Sequence, residues 1–394
     1  VKYFSRSATL LSSAILLLTA ASTTTAQADR LSDFYSAPVA TIGTAAPGEV
    51  VRDLPFDSPK GFGLGFDIER ILYRSTDTHD NPMIVSGYTA TPIAPWPGPG
   101  PRPVIAYAPG TSGMADRCAG SAVLGTVGSS PAILPLLLAG YRVVATDYQG
   151  LGTPGGHTYL NRLASGRALL DAARTAEADP ATPVMLFGYS EGGFASASAA
   201  ELAATYAPEL NIVGAYVGAP PADPTLNIAP LDNTTLGSAV LFAVDGMINA
   251  YPEQAESIRG LFDSDGVAML DAAQNWCSTD AAATAVVSTS ELTRDGRPFS
   301  EQLNSPTLAD ITADNTLGRI APAIPVYLSH GAQDDTVPIE QSRLLLRRWQ
   351  DLGADDITYR EYRFPAIPLK GVNHQPASLA AYSDVLPWIA GLVR

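Results

Sequence analysis

From residue 103 onward, short apolar runs alternate with longer segments whose apolar positions recur at helical spacing. The runs occupy 103–107, 141–145, 183–187, 212–217, 324–329 and 357–364, and helices are predicted near 131–139, 162–178, 191–206, 338–352 and 377–392. A short run that stays apolar without alternating is buried on both faces, so this order predicts a mostly parallel central sheet flanked by helices. Two earlier β-patterned stretches, 68–73 and 83–88, precede a Pro/Gly-rich loop at 92–103. Residues 29–60 have little periodicity and are expected as an arm lying over the surface.

The rhythm breaks between 221 and 317. Helical patterns at 236–248, 254–262 and 267–276 dominate there, and no convincing strand intervenes. The expected organisation is an α/β core in two parts, 29–220 and 318–394, separated by a helical cap at 221–317. With 394 residues, 46% hydrophobic and 16% charged, the chain can bury such a core without metals.

The N-terminus has the features of an export signal at 1–28. Lys2 and Arg6 precede an apolar run at 10–20, and Ala26-Gln27-Ala28 supplies small residues before a cleavage point, so a mature protein starting near Asp29 and a secreted location are expected. The run is too short for a stable membrane anchor. Two cysteines, Cys118 and Cys277, are expected to be bridged in an exported chain, free buried thiols being the alternative. A formal charge of −15 repels nucleic acid. The four histidines are scattered singly and no metal-ligand spacing appears, so neither metal nor cofactor is expected.

The sharpest local feature is Gly188-Tyr189-Ser190-Glu191-Gly192-Gly193, set between an apolar strand and an Ala/Ser-rich helix. A serine on such a turn has its hydroxyl raised at the carboxyl edge of the sheet, with free helix N–H groups behind it. A serine hydroxyl needs a base. His374 lies in the loop after the last strand, the base position in the order Ser, acid, His; His79, His157 and His330 lie elsewhere in the pattern. The acid should follow the strand at 324–329. Asp334, three residues past Gly331, is preferred to Asp335 on register, to orient the imidazole and stabilise its cation. Asp147 and His157 are expected to be structural, with Gly150 and Gly152 letting the intervening loop turn tightly.

Five pieces occur in sequence order: Tyr107-Ala108-Pro109-Gly110-Thr111-Ser112-Gly113 with Cys118; Asp147-Tyr148-Gln149-Gly150-Leu151-Gly152 with His157; the Ser190 turn; Gly331 with Asp334, Val337 and Pro338; and Asn373-His374. Together they make the chain resemble the secretory lipase family of α/β-hydrolases from about residue 50 to the C-terminus. The resemblance implies the α/β-hydrolase fold, lipase or esterase activity on a small-molecule or lipid ester, a helical cap over an acyl tunnel, and a disulfide between Cys118 and Cys277 tying the oxyanion loop to the cap. It also implies that the backbone N–H of Glu191 and a residue matching Thr111 receive the oxyanion. Fungal relatives have an acidic side chain in the second role. For Thr111 the alternative is a loop residue bonding its own backbone. The chain has room for one helix after His374, whereas fungal relatives carry a longer flap. Transient contact with lipid interfaces, and short- to medium-chain as well as long-chain esters, therefore stay open.

Three functional classes remain at this point. They are an ester hydrolase working through an acyl-enzyme, an acyltransferase using the same residues, and a non-catalytic binding protein of the same fold. The presence of all three residue types in order favours the first.

Overall fold

The computed structural model describes residues 30–36, 42–56, 65–124, 132–176, 179–283 and 286–393; the expected export signal and its cleavage point lie outside the described residues. Among the described residues nine strands form one sheet: β1 (Val50–Pro55), β2 (Phe66–Thr76), β3 (Pro82–Pro92), β4 (Val104–Ala108), β5 (Arg142–Thr146), β6 (Val184–Tyr189), β7 (Ile212–Gly218), β8 (Val326–Gly331) and β9 (Ile357–Tyr362). Their spatial order is β1-β2-β3-β5-β4-β6-β7-β8-β9. The first three strands pair antiparallel, β3 lies antiparallel to β5, and every pairing from β5 across to β9 is parallel.

The principal helices are α1 (Leu134–Leu138), α2 (Arg162–Ala176), α3 (Glu191–Tyr206), α4 (Ser238–Ala250), α5 (Ser264–Ala273), α6 (Ser278–Ala282), α7 (Glu340–Asp351) and α8 (Gln375–Leu392). Strand side chains alternate between faces, and both faces are covered. Val104, Ala106, Val184 and Leu186 pack in one cluster with Leu169 of α2, Phe194 of α3 and Trp349 of α7. Their neighbours Ile105, Met185 and Phe187 pack on the other face with Leu136 of α1 and Val385 and Ile389 of α8. That two-sided burial is why these strands carry unbroken apolar runs.

Two expectations need correction. Residues 50–55, expected within a surface arm, form β1, the edge strand beside β2. Phe34 is buried too, against Leu72 and Ile84, so this part of the chain is packed onto the sheet. The strand expected at 324–329 runs from Val326 to Gly331; Pro325 has no N–H to donate, so pairing begins after it.

Among the described residues, 221–317 are helical, with only isolated bridges such as Thr234 with Val287 and Phe262 with Thr293. This region has its own hydrophobic cluster around Phe242, Phe262, Leu270 and Phe299, in which Phe262 and Phe299 stack at 5.6 Å. Asp263 caps α5 by accepting the Gly266 N–H at 2.8 Å, which satisfies an orphan helical donor.

Asp245 of α4 is fully buried. Its Oδ1 accepts a 3.3 Å hydrogen bond from Gln274 and its Oδ2 has no partner among the described residues. Burial pushes its carboxyl up to about 7, only partly offset by Gln274 and the charge of Arg259, while Asp271 pushes the same way as burial. The folded state thus holds this proton to a higher pH than the unfolded state does. The resulting stability is complete below the ordinary carboxyl range of about 4 and is lost as pH rises through about 7. Asp245→Asn, which cannot ionise, should lose less melting temperature than the parent between pH 5 and pH 8 by calorimetry. An equal loss in both proteins would contradict this assignment.

Candidate active site

β6 ends at Tyr189 and α3 begins at Glu191, leaving Ser190 alone on the turn at φ 62° and ψ −123°. Such a conformation costs a non-glycine residue about 1–3 kcal/mol and must be held by its surroundings. Ser190 N–H donates to Gly218 O at 2.8 Å, and Ser190 O accepts from Phe194 N at 2.9 Å. A Cβ on Gly188 would overlap the carbonyl of Gly192, and one on Gly192 would overlap that of Ala108. The turn therefore requires glycine on both sides of the serine. Glu191, as the first residue of α3, has an N–H with no intrahelical acceptor.

Asp334 and His374 come from neighbouring loops. The last residues of β8 and β9, Gly331 and Tyr362, are partners in register, so the loops that follow leave the sheet side by side. Asp334 Oδ1 accepts from the N–H groups of Thr336 and Val337, each at 2.9 Å. Its Oδ2 lies 2.6 Å from His374 Nδ1. His374 immediately precedes α8, whose first turn carries Pro376, and its carbonyl accepts a 2.6 Å hydrogen bond from the Tyr189 hydroxyl. With Nδ1–H committed to a carboxylate, the neutral ring presents Nε2 as an acceptor. That atom is buried and unpaired among the described residues.

A second histidine meets the same carboxylate. His330, fully buried, places Nε2 at 3.4 Å from Asp334 Oδ2 and 2.8 Å from Val337 O, with Nδ1 at 2.7 Å from Ser342 Oγ. Burial alone would raise the Asp334 carboxyl. The hydrogen bonds and charge offered by His330 and His374 outweigh it and hold the group well below the usual carboxylate range. Asp335 serves the same loop differently, accepting from Gly371 N at 3.1 Å and Asn373 Nδ2 at 2.9 Å.

The loop after β4 approaches the turn from the other side, with Gly110 packed beside Tyr189 and Ser190. The Thr111 hydroxyl lies 3.0 Å from the Tyr159 hydroxyl rather than on its own backbone. Thr111 O accepts from Ser278 Oγ at 2.8 Å, Met114 N donates to Trp276 O at 2.8 Å, and Cys118 is disulfide-bonded to Cys277. The loop is thus fastened to the helical region at several points. Asp147 accepts from Ser86 Oγ at 2.8 Å and from Ser121 N at 3.0 Å, holding the far end of that loop.

Sequence reasoning gave His157 only a structural part. It lies 3.1 Å from the Glu191 carboxyl, both side chains being almost wholly buried, while its Nδ1 faces Gln149 O at 3.0 Å. Glu191 therefore keeps its side chain paired with a buried ring. Neither His157 nor His330 carried a local spacing signal toward its partner. Tyr189 was visible in the motif, but its bond to His374 was not.

Ser190 and His374 line one cavity of about 830 Å3, shared with Gly110, Thr111, Phe242 of α4 and Ala281 of α6. Among the described residues no group of three or more His, Cys, Asp or Glu side chains is placed to hold a metal ion. Residues 125–391 match the model of the secretory lipase family. The chain belongs to that family. It is 28% identical over 380 residues to Lipase 5 of Candida albicans, covering 89% of this chain and 79% of that protein. It is also 28% identical over 357 residues to a Mycobacterium tuberculosis protein described as a probable inactive lipase, covering 84% and 77%. The solved structure of Candida antarctica lipase A in its closed state shares the fold with a TM-score of 0.79 at 23% identity, covering 91% of this chain and 85% of that one. The family makes this secretory lipase a carboxylic ester hydrolase with an α/β-hydrolase fold.

The disulfide joins residues 159 positions apart, a span long enough for its removal to widen the unfolded ensemble considerably. Replacing both cysteines by serine should lower unfolding stability by about 4 kcal/mol, read from denaturant midpoints. An unchanged midpoint would show that the hydrogen bonds of Met114 and Thr111 suffice alone.

Proposed function

We propose that this lipase is an exported serine esterase in which Ser190 is the nucleophile, His374 its base and Asp334 the acid that orients the base. The observation that carries this reading is the 2.6 Å contact from Asp334 to His374 Nδ1, with Nε2 left unpaired at a cavity that Ser190 also lines. In this reading the Ser190 hydroxyl donates to the free Nε2 of His374. Oγ then attacks the ester carbonyl as His374 takes its proton, and the N–H groups of Glu191 and Thr111 receive the developing oxyanion. Collapse breaks the ester C–O bond, the alcohol leaves with the proton from His374, and the acyl group stays on Ser190. Water then attacks in the same manner and frees the acid.

The helical region at 221–317 acts as the cap over this site, on a core formed by 29–220 and 318–394. Residues 1–28 act as the export signal, a reading supported by Lys2 and Arg6 ahead of the apolar run. The cavity rim supports transient contact with lipid. Leu379 lines the cavity yet is 74% exposed, and Ile367 and Leu369, on the loop leading to His374, are exposed as well. The 3.1 Å contact from His157 Nε2 to the Glu191 carboxyl fixes the side chain of the residue whose N–H receives the oxyanion.

A fluorophosphonate probe followed by peptide mapping should label Ser190 alone, and Ser190→Ala should abolish labelling. Label on another residue, or none, would end the proposal. Asp334→Asn should lower kcat by about four orders of magnitude, because the amide favours the wrong tautomer of His374. A His157→Gln enzyme should lose about tenfold in kcat, regained in part by adding Glu191→Gln, as a double-mutant cycle of p-nitrophenyl ester hydrolysis would show.

A further inference from the structure

Beside the cavity at Ser190 lies a narrow inner chamber beneath α4. The two abut at Tyr159, Pro221, Asn227, Leu231 and Ala239, which line both. Most of the chamber wall is hydrocarbon, including Leu160, Phe194, Ile228 and Met247. Three asparagines interrupt it. Asn161 Oδ1 accepts from Thr78 Oγ1 at 2.7 Å and Ala164 N at 3.0 Å. Asn315 Oδ1 accepts from Arg162 N at 2.9 Å, and its Nδ2 donates to Tyr251 Oη at 3.1 Å and Ile311 O at 2.9 Å. Both are satisfied by the protein.

Asn227 is different. It is only 7% exposed, and its Oδ1 is buried without a hydrogen-bond partner among the described residues. It sits at the junction of the two spaces, where an acyl chain bound at Ser190 would pass. A buried amide left unpaired is costly, and a leucine, with the same branched skeleton and no polar atoms, would serve an all-hydrocarbon chain better.

We infer that the acyl group this enzyme is built to bind carries a hydroxyl part-way along its chain, and that Asn227 selects it. The inference rests on the assignment of Ser190 as nucleophile, which fixes where the chain begins. A hydroxyl both donates and accepts, so it satisfies the amide in either orientation. A charged substituent is disfavoured, because no Lys, Arg or His lines the chamber among the described residues, and an unpaired charge there would be heavily penalised. The substrate class is therefore an ester of a hydroxylated fatty acid, and Asn227 is the residue that distinguishes it from the plain one.

The test compares p-nitrophenyl decanoate with a set of p-nitrophenyl hydroxydecanoates whose hydroxyl is moved along the chain. In the parent, one positional isomer should exceed the plain ester in kcat/KM by about tenfold, chiefly through KM. Asn227→Leu should invert that order, and Asn227→Ala, which adds no bulk, should abolish the preference. A parent enzyme that favours the plain ester or treats all isomers alike would overturn the inference, as would either variant retaining the parent's preference. If no ester is hydrolysed and the phosphonate does not label Ser190, the catalytic reading falls and takes this inference with it.

Discussion

The buried carboxylate of Asp334 is the constraint on which the rest of the site depends. Removed from water, it keeps its charge only because donors surround it: two backbone N–H groups on one oxygen, and two imidazoles near the other. Without them burial would neutralise the acid, and a protonated Asp334 would donate to the ring instead of accepting from it. The orientation of His374 would then be lost together with its tautomer. The sheet makes this arrangement possible, since parallel strands deliver both loops to the same edge, and Ala332 N bonding to Tyr362 O at 2.7 Å keeps their first residues adjacent.

The helical region at 221–317 also braces the loop after β4. Trp276, Cys277 and Ser278 are bonded to Met114, Cys118 and Thr111 respectively, so the loop opposite Ser190 is positioned as much by this insertion as by β4 from which it emerges. The separate hydrophobic cluster around Phe242 and Phe262 gives the insertion enough internal packing to act as a solid support. Shape of the cavity and alignment of the loop are consequently set by the same segment.

The central strands were legible because both of their faces are buried, which leaves an unbroken apolar run as a trace. β1 left none, since Arg52 and Asp53 sit in a half-exposed edge strand. Asp334 was separable from Asp335 by its spacing from Gly331, although both aspartates prove to be engaged, one on the ring and the other on the segment that carries it. The partners of His330 and His157 went unforeseen for a common reason. Each histidine meets its partner through local folding or tertiary packing, four positions on, past the end of β8, in one case and 34 positions along the sequence in the other, and no periodicity records such meetings. Asn227 is less visible still, because only the surrounding hydrocarbon makes an asparagine unusual.

The motif around Ser190 is customarily written with its second and fourth positions blank, as though any residue would serve there. In this chain neither is open. Tyr189 grips the carbonyl of His374, and Glu191 is locked to His157. Randomising those two letters would leave the glycines and the serine intact and the turn correctly bent, yet it would release the carbonyl of His374 and strip the buried His157 ring of its hydrogen-bond partner. The variability that a five-letter formula advertises is thus a property of the fold at large, and not a freedom that this protein retains.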